Sequence, residues 1–184
     1  EFGVEPQTET IQLYKEILNN QIPNNESVLP QNNLPTFDTT FVGRQKEFLQ
    51  IVECLQTRNR RLVTVVGPGG VGKTRLAIQI GQDQLHGFQN GVFWITLENI
   101  ETSNALPGVI ANAVGMEMPA RGDMRSHVLN FLHHRDMLLI FDNYEHLLPE
   151  TDFVTEILNR APGVSILITS RESLHLQVER SEER

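Results

Sequence analysis

The residues best suited to chemistry lie in the stretch 61–80, RLVTVVGPGGVGKTRLAIQI. Gly67, Gly72, Lys73 and Thr74 fit the spacing G-x-x-x-x-G-K-[ST] in full. Glycines at Gly67, Gly69, Gly70 and Gly72 let backbone N–H groups converge on phosphate oxygens with no Cβ in the way. A helix opening near Gly72 adds unsatisfied donors and the positive end of its dipole. Lys73 supplies a mobile point charge for β- and γ-phosphates, and the Thr74 hydroxyl suits a Mg²⁺ ligand. At average residue usage these four fixed positions coincide by chance in roughly one chain of this length in 150. The competing reading, a plain glycine-rich turn, must also explain the apolar strand before it and the helical periodicity after it. The stretch therefore predicts a site for ATP or ADP with Mg²⁺.

Further positions extend that chemistry. Asp142 closes the apolar run Met137 to Phe141, where a carboxylate can hold Mg²⁺ beside Thr74, directly or through water. A turn-capping acid is the alternative. Asn143 stands where a hydrolytic site of this kind would use a second acid to activate water. An amide cannot accept a proton, so that role is missing or moved. Glu145 is the nearest replacement and would join Lys73 and Asp142 in catalysis; a solvated loop acid is its other reading. Arg171 follows the apolar run Val164 to Thr169. If that strand lies beside strand 62–66, its guanidinium faces a γ-phosphate and reports its presence through forked hydrogen bonds. Otherwise it is a surface arginine at the start of a loop. Val42 and Arg44, in the tetrapeptide FVGR one helix ahead of the glycine loop, can fold over adenine and ribose.

These positions need a scaffold, and the hydrophobic periodicity supplies one. Leu62 to Val66, Val92 to Leu97, Met137 to Phe141 and Val164 to Thr169 read as buried strands. Between them lie helical patterns opening near Gly72 and over 105–114, 123–133 (with Asp123 as its cap) and 147–160 after Pro149. A further helix, 45–56, precedes the first strand, with Phe48, Leu49, Val52 and Leu55 on one face. Strands alternating with helices imply a three-layer α/β sandwich with a mostly parallel sheet and ligands at the carboxyl ends of its strands. Phe93, Trp94 and Cys54 read as core residues. Adjacent residues on a helix do not share a face, so His133 and His134 are not a metal pair.

Composition narrows the function classes. The 184 residues carry a net charge of −8, with Lys and Arg scattered, which argues against duplex DNA binding by this segment. One cysteine leaves neither an intrachain disulfide nor a cysteine zinc site, and a cytoplasmic setting is expected. No apolar run is long enough for a helical membrane span. Residues 1–20 read as a helix whose apolar face needs a partner, and residues 21–36, rich in Asn, Gln and Pro, read as an interdomain linker. The globular segment is 37–178, and 179–184 reads as a charged tail.

In combination, FVGR, GPGGVGKT, LLIFDNYEH and ILITSR, in this order and spacing, resemble the STAND class of signal-transduction P-loop NTPases. Within it the pattern is similar to the NB-ARC-like modules of large bacterial transcriptional regulators. Residues 1–20 resemble the helical end of a bacterial transcriptional activator domain. By resemblance Gly67, Gly69, Gly70, Val71, Gly72, Lys73, Thr74 and Arg75 bind phosphates and Mg²⁺. Asp142 then holds the metal, Arg171 meets the γ-phosphate, and Val42 with Arg44 meets the base. The resemblance implies an ADP-held closed form, exchange for ATP that permits opening and self-association, and a slow resetting hydrolysis. Partners would be the other domains of the same regulator, with DNA reached only through domains outside this chain. It also implies a last core strand, a helical lid and a winged-helix domain after Arg184, so the sequence is expected to be a piece of a longer protein, truncated before its last strand.

Two other functions compete. A non-hydrolysing nucleotide-binding scaffold would keep the glycine loop and do without a water-activating acid. A small-molecule kinase would need an acceptor site and a lid carrying several arginines, and the sequence displays neither.

Overall fold

The computed structural model describes residues 31–37, 41, 43–58, 60–100, 102–117, 122–147, 151–172, 174 and 179–182. Helix α1 (Gln45–Thr57) leads into strand β1 (Leu62–Val66), the glycine loop and helix α2 (Lys73–Asp83). Strand β2 (Val92–Thr96), helix α3 (Leu106–Ala113) and helix α4 (Met124–His133) follow. Strand β3 (Met137–Asp142), helix α5 (Asp152–Arg160), strand β4 (Val164–Ser170) and strand β5 (Glu179–Glu182) complete the sheet. All neighbouring strands run parallel, in the order β2-β3-β4-β1-β5.

Alternation along the strands builds the two cores. Val63, Val65, Trp94, Leu138, Ile140 and Leu167 pack with α1 and α2 on one face. Leu62, Phe93, Ile95, Leu139, Phe141, Ile166 and Ile168 pack with α3, α4 and α5 on the other. Residues 137–141 of β3 are all buried, as expected for a parallel strand covered on both faces. Each such side chain contributes roughly 1.5–3 kcal/mol by leaving water, so the apolar runs outweigh local propensity in setting the strands. Asp123 caps α4 as its position suggests, accepting from the amides of Arg125 and Ser126. Arg61 fastens the start of β1 to the end of α5 by donating to the carbonyls of Ala161, Val164 and Leu158.

The structure departs from the sequence reading in several places. The end of the proposed linker is docked on the sheet edge. The Val92 amide donates to the Gln31 carbonyl at 3.1 Å, and Asn32 forms a parallel bridge to Val92. Asn33 then clasps Trp94 with both amide atoms, donating to its carbonyl at 2.9 Å and accepting from its N–H at 2.6 Å. A polar side chain copying a backbone ladder leaves no hydrophobic period to read. Residues 179–182, read as charged tail, form β5 beside β1, with Leu62 opposite Glu179 and Val65 opposite Glu182. A fifth parallel strand is thus present among the described residues. An edge strand gains its hydrogen bonds from the backbone, which apolar periodicity does not reveal. Leu49 points to solvent, and the buried face of α1 is Ile51, Val52, Cys54 and Leu55. The last helix begins at Asp152. The helix proposed for residues 1–20 lies outside the described residues.

Candidate functional site

The carboxyl ends of β1, β3 and β4 meet because their registers match: Val66 pairs with Ser170, and Phe141 with Ile168. From these three ends project the glycine loop, Asp142 and Arg171. Gly70 and Gly72 take φ of 77° and 85°, a left-handed region that suits glycine, and curl the loop ahead of α2. Gly72 stands at the N-cap of α2 and brings no side-chain cap, so the first amides of the helix are left for the loop side. Lys73 reaches back across it, donating from Nζ to the carbonyls of Gly67 at 2.8 Å and Pro68 at 3.0 Å. Burial pushes the Lys73 ammonium below its ordinary pKa; the Glu145 charge opposes this and Arg171 reinforces it.

Beside the loop, the Thr74 hydroxyl donates to Asp142 Oδ1 at 3.0 Å. Thr169, buried on β4, donates to the same oxygen at 2.5 Å. Its hydroxyl in turn accepts from the Asn143 amide at 3.0 Å. Both hydroxyls converge on Oδ1, which orients the carboxylate. A hydroxyl and a carboxylate side by side form a hard oxygen donor set, which fits Mg²⁺ and its habit of retaining water and phosphate ligands.

Arg171 lies where its strand position suggests, because β4 does lie beside β1. Its Nη2 is 3.9 Å from where a Cβ on Gly69 would stand. Its Nε is paired with Glu145 Oε1 at 3.0 Å. Asn143, in the left-handed region at φ 70°, turns its side chain to the same carboxylate. With Nδ2 facing the acid, as hydrogen bonding requires, it donates to Glu145 Oε1 at 2.8 Å and Oε2 at 3.2 Å. Lys73, Thr74, Asp142, Glu145 and Arg171 are therefore brought together.

The remaining candidates are more dispersed. Arg44 caps α1 in a left-handed conformation, with Phe48 N–H donating to its carbonyl at 2.9 Å. Phe41, Gly43, Gln45, Phe48 and Gln79 line a recess of about 400 Å³ between this segment and α2. Val42 lies outside the described residues. Arg75 sits over the Phe37 ring at 5.1 Å, and Val71 is exposed. The sequence reading missed Thr169 and the amide role of Asn143. Thr169 stands two residues before Arg171 and Asn143 directly after Asp142, and this spacing from strand ends was the available signal.

Comparison with known proteins places these features in context. The family model described as NB-ARC domain matches residues 44–178. A Mycobacterium tuberculosis protein provisionally named as an HTH-type transcriptional regulator is 42% identical over 116 residues, which is 62% of this chain and 13% of that protein. The regulatory protein AfsR of Streptomyces griseus is 27% identical over 192 residues, covering 93% of this chain and 19% of its own length. The chain thus spans a small part of these relatives. Among solved structures, a STAND protein with a tetratricopeptide repeat sensor from Pyrococcus horikoshii superposes with a TM-score of 0.54 at 18% identity, covering 81% of this chain and 24% of that one. The ORC2 protein of Aeropyrum pernix, solved as ADPNP–ADP complexes, gives a TM-score of 0.57 at 14% identity, covering 81% of this chain and 45% of that one. At such identities the two structures share the α/β fold with this chain.

Proposed function

The chain belongs to the NB-ARC domain family, and from that premise we propose that it is the ATP/ADP switch module of a larger transcription regulator. The observation that carries this reading is the meeting of the glycine loop, the Thr74–Asp142 pair and Arg171 at three aligned strand ends. In this reading the amides of 69–74 and the Lys73 ammonium hold the phosphates, and Thr74 and Asp142 hold Mg²⁺. Bound Mg²⁺ supplies charge neutralisation at the phosphate oxygens. Lys73 already lies against the loop and needs only to exchange carbonyl partners for phosphate oxygens. Thr169 keeps the Asp142 carboxylate oriented. Arg171 supplies the group that distinguishes a triphosphate from a diphosphate. Arg44 and the recess lined by Phe41, Gly43 and Phe48 provide the base end, to which Val42 is assigned from sequence, with Val71 in the loop and Arg75 just after it on the phosphate side.

The same reading makes hydrolysis slow, because Asn143 occupies the position of a water-activating acid. That residue also favours a second reading, a scaffold that binds nucleotide without turnover. Among the described residues no helix is long and apolar enough to cross a membrane. The names of the relatives support a module within a regulator; a cytoplasmic setting, other domains that sense the signal and reach DNA, and self-association in the ATP state are part of this proposal.

The test uses the full-length protein. Denaturing the purified protein should release ADP, and [γ-³²P]ATP should turn over slowly in Mg²⁺, with Lys73→Ala inactive. Turnover equal to that of Lys73→Ala would leave the scaffold reading. Calorimetry at millimolar Mg-ADP with no binding would end both.

A further inference from the structure

We propose that Glu145 is a positioning residue that sets the preference between ADP and ATP by competing with the γ-phosphate for Arg171. The inference rests on the nucleotide-site reading above and assigns the Asn143–Glu145–Arg171 cluster a task within it.

The cluster has a fixed end and a movable end. The Glu145 side chain is 20% exposed and held by the Asn143 amide, whereas the Arg171 side chain is 65% exposed. Asn143 is itself anchored, since its backbone N–H donates to the buried Thr169 hydroxyl. Its left-handed backbone, a conformation asparagine tolerates better than most residues, serves to aim the amide at Glu145. The same Thr169 orients Asp142, so metal carboxylate and counter-ion carboxylate share one support. Glu145 Oε1 takes both Arg171 and Asn143, and Oε2 takes Asn143. With both oxygens engaged, the carboxylate is committed to holding an arginine, which differs from the water-activating role open to it from sequence.

A diphosphate leaves this ion pair in place. A triphosphate that draws the Arg171 guanidinium off Glu145 breaks the Nε contact, so the pair weighs against ATP and not against ADP. An ion pair this exposed is worth about 0.2–1 kcal/mol, which corresponds to roughly 1.4- to 5-fold in affinity. That is strong enough to bias a switch, yet a γ-phosphate's charge can overcome it. Loss of the acid also makes the site less negative for any phosphate, so the ratio of affinities, not either value alone, isolates the competition.

The test is calorimetry on the full-length protein with Mg-ADP and a non-hydrolysable Mg-ATP analogue. Glu145→Gln should tighten the analogue relative to ADP about two- to fivefold, and Glu145→Ala should shift the ratio the same way. In an Arg171→Ala background the Glu145→Gln shift should vanish. Equal changes for both nucleotides, a shift that survives without Arg171, or lost ATP turnover at an unchanged ratio would each overturn the proposal while leaving the nucleotide site intact. A wild-type protein that binds neither nucleotide would instead remove the site reading on which it rests.

Discussion

The hydroxyl of Thr169 donates to Oδ1 of Asp142 at 2.5 Å, joining the ends of β4 and β3 through a buried side chain. Because the same hydroxyl accepts from the Asn143 amide, one threonine fixes both the carboxylate beside Thr74 and the turn that carries Glu145. Geometry at the sheet end is therefore set between strands rather than within the loop that follows β3.

Thr169→Val keeps the shape and deletes the hydroxyl. It leaves the Asn143 backbone N–H without its acceptor and Asp142 Oδ1 with the Thr74 hydroxyl as its remaining donor, at a cost of about 1–3 kcal/mol. Denaturant unfolding should show that loss, and Mg-ADP affinity should fall with it. Thr169→Ser retains the hydroxyl and should lie close to wild type in both measurements. A valine variant that matches wild type in both would mean that other contacts set the turn.

The docked segment before α1 offers a second check. Gly91 has φ 110°, and a Cβ there would lie 2.1 Å from the Gln31 carbonyl oxygen. Leu34 packs on the core beneath α1 and α2, its Cδ2 lying 2.9 Å from where a Cβ on Gly81 of α2 would stand. Gly91→Ala should lift the segment off β2, and Asn33→Ala should loosen it. Amide hydrogen exchange at Trp94, whose N–H is held by Asn33, should accelerate in both variants while exchange in β3 and β4 stays slow. Unchanged Trp94 protection would show that the segment does not depend on these contacts.

These cases show which parts of the molecule were legible in sequence. Strands β1 to β4 were readable because burial on both faces demands continuous apolar runs, as in Met137 to Phe141. The glycine loop was readable because its backbone conformation demands particular residue types. Asn33 was hidden because one amide does the work of a ladder that hydrophobic patterning does not encode. Strand β5 was hidden for a related reason, since Glu179–Glu182 has no apolar residue and pairs through its backbone. Leu49 was misplaced because Phe48, Leu49, Ile51, Val52, Cys54 and Leu55 allow more than one buried stripe in α1, and contact with β1 and α2 selects the one through Ile51 and Leu55. The condition placed on Arg171, that β4 adjoin β1, is a matter of strand order, which local sequence does not carry.

Arg171→Ala should separate the two nucleotides' affinities from each other. Its guanidinium is paired with Glu145 and close to Gly69, at the outer end of the loop. Removing a charged hydrogen-bond donor to a phosphate costs about 1.5–3 kcal/mol. Affinity for a non-hydrolysable ATP analogue should therefore drop by roughly one to two orders of magnitude. Mg-ADP affinity should stay near wild type by calorimetry. Equal loss for both nucleotides would contradict a role confined to the γ-phosphate.

The acid limb of stability should carry the signature of Asp123. Its carboxylate accepts from the Ser126 hydroxyl at 2.7 Å, the Ser126 amide at 3.1 Å and the Arg125 amide at 3.2 Å. These bonds, led by the Ser126 hydroxyl, hold its pKa below the ordinary carboxylate value. In the unfolded chain the same group takes up its proton near pH 3.9, roughly. A depressed folded pKa means the unfolded state binds the proton more readily. The contribution is therefore fully present above the unfolded pKa and is lost as pH falls through the folded one. Asp123→Asn caps the helix without ionising. Its Tm should lie below wild type at neutral pH, and the gap should close as pH falls below about 4. Thermal melts at successive pH values decide the matter, because a gap that stays constant down to about pH 3 would mean that the cap's charge adds nothing beyond its hydrogen bonds.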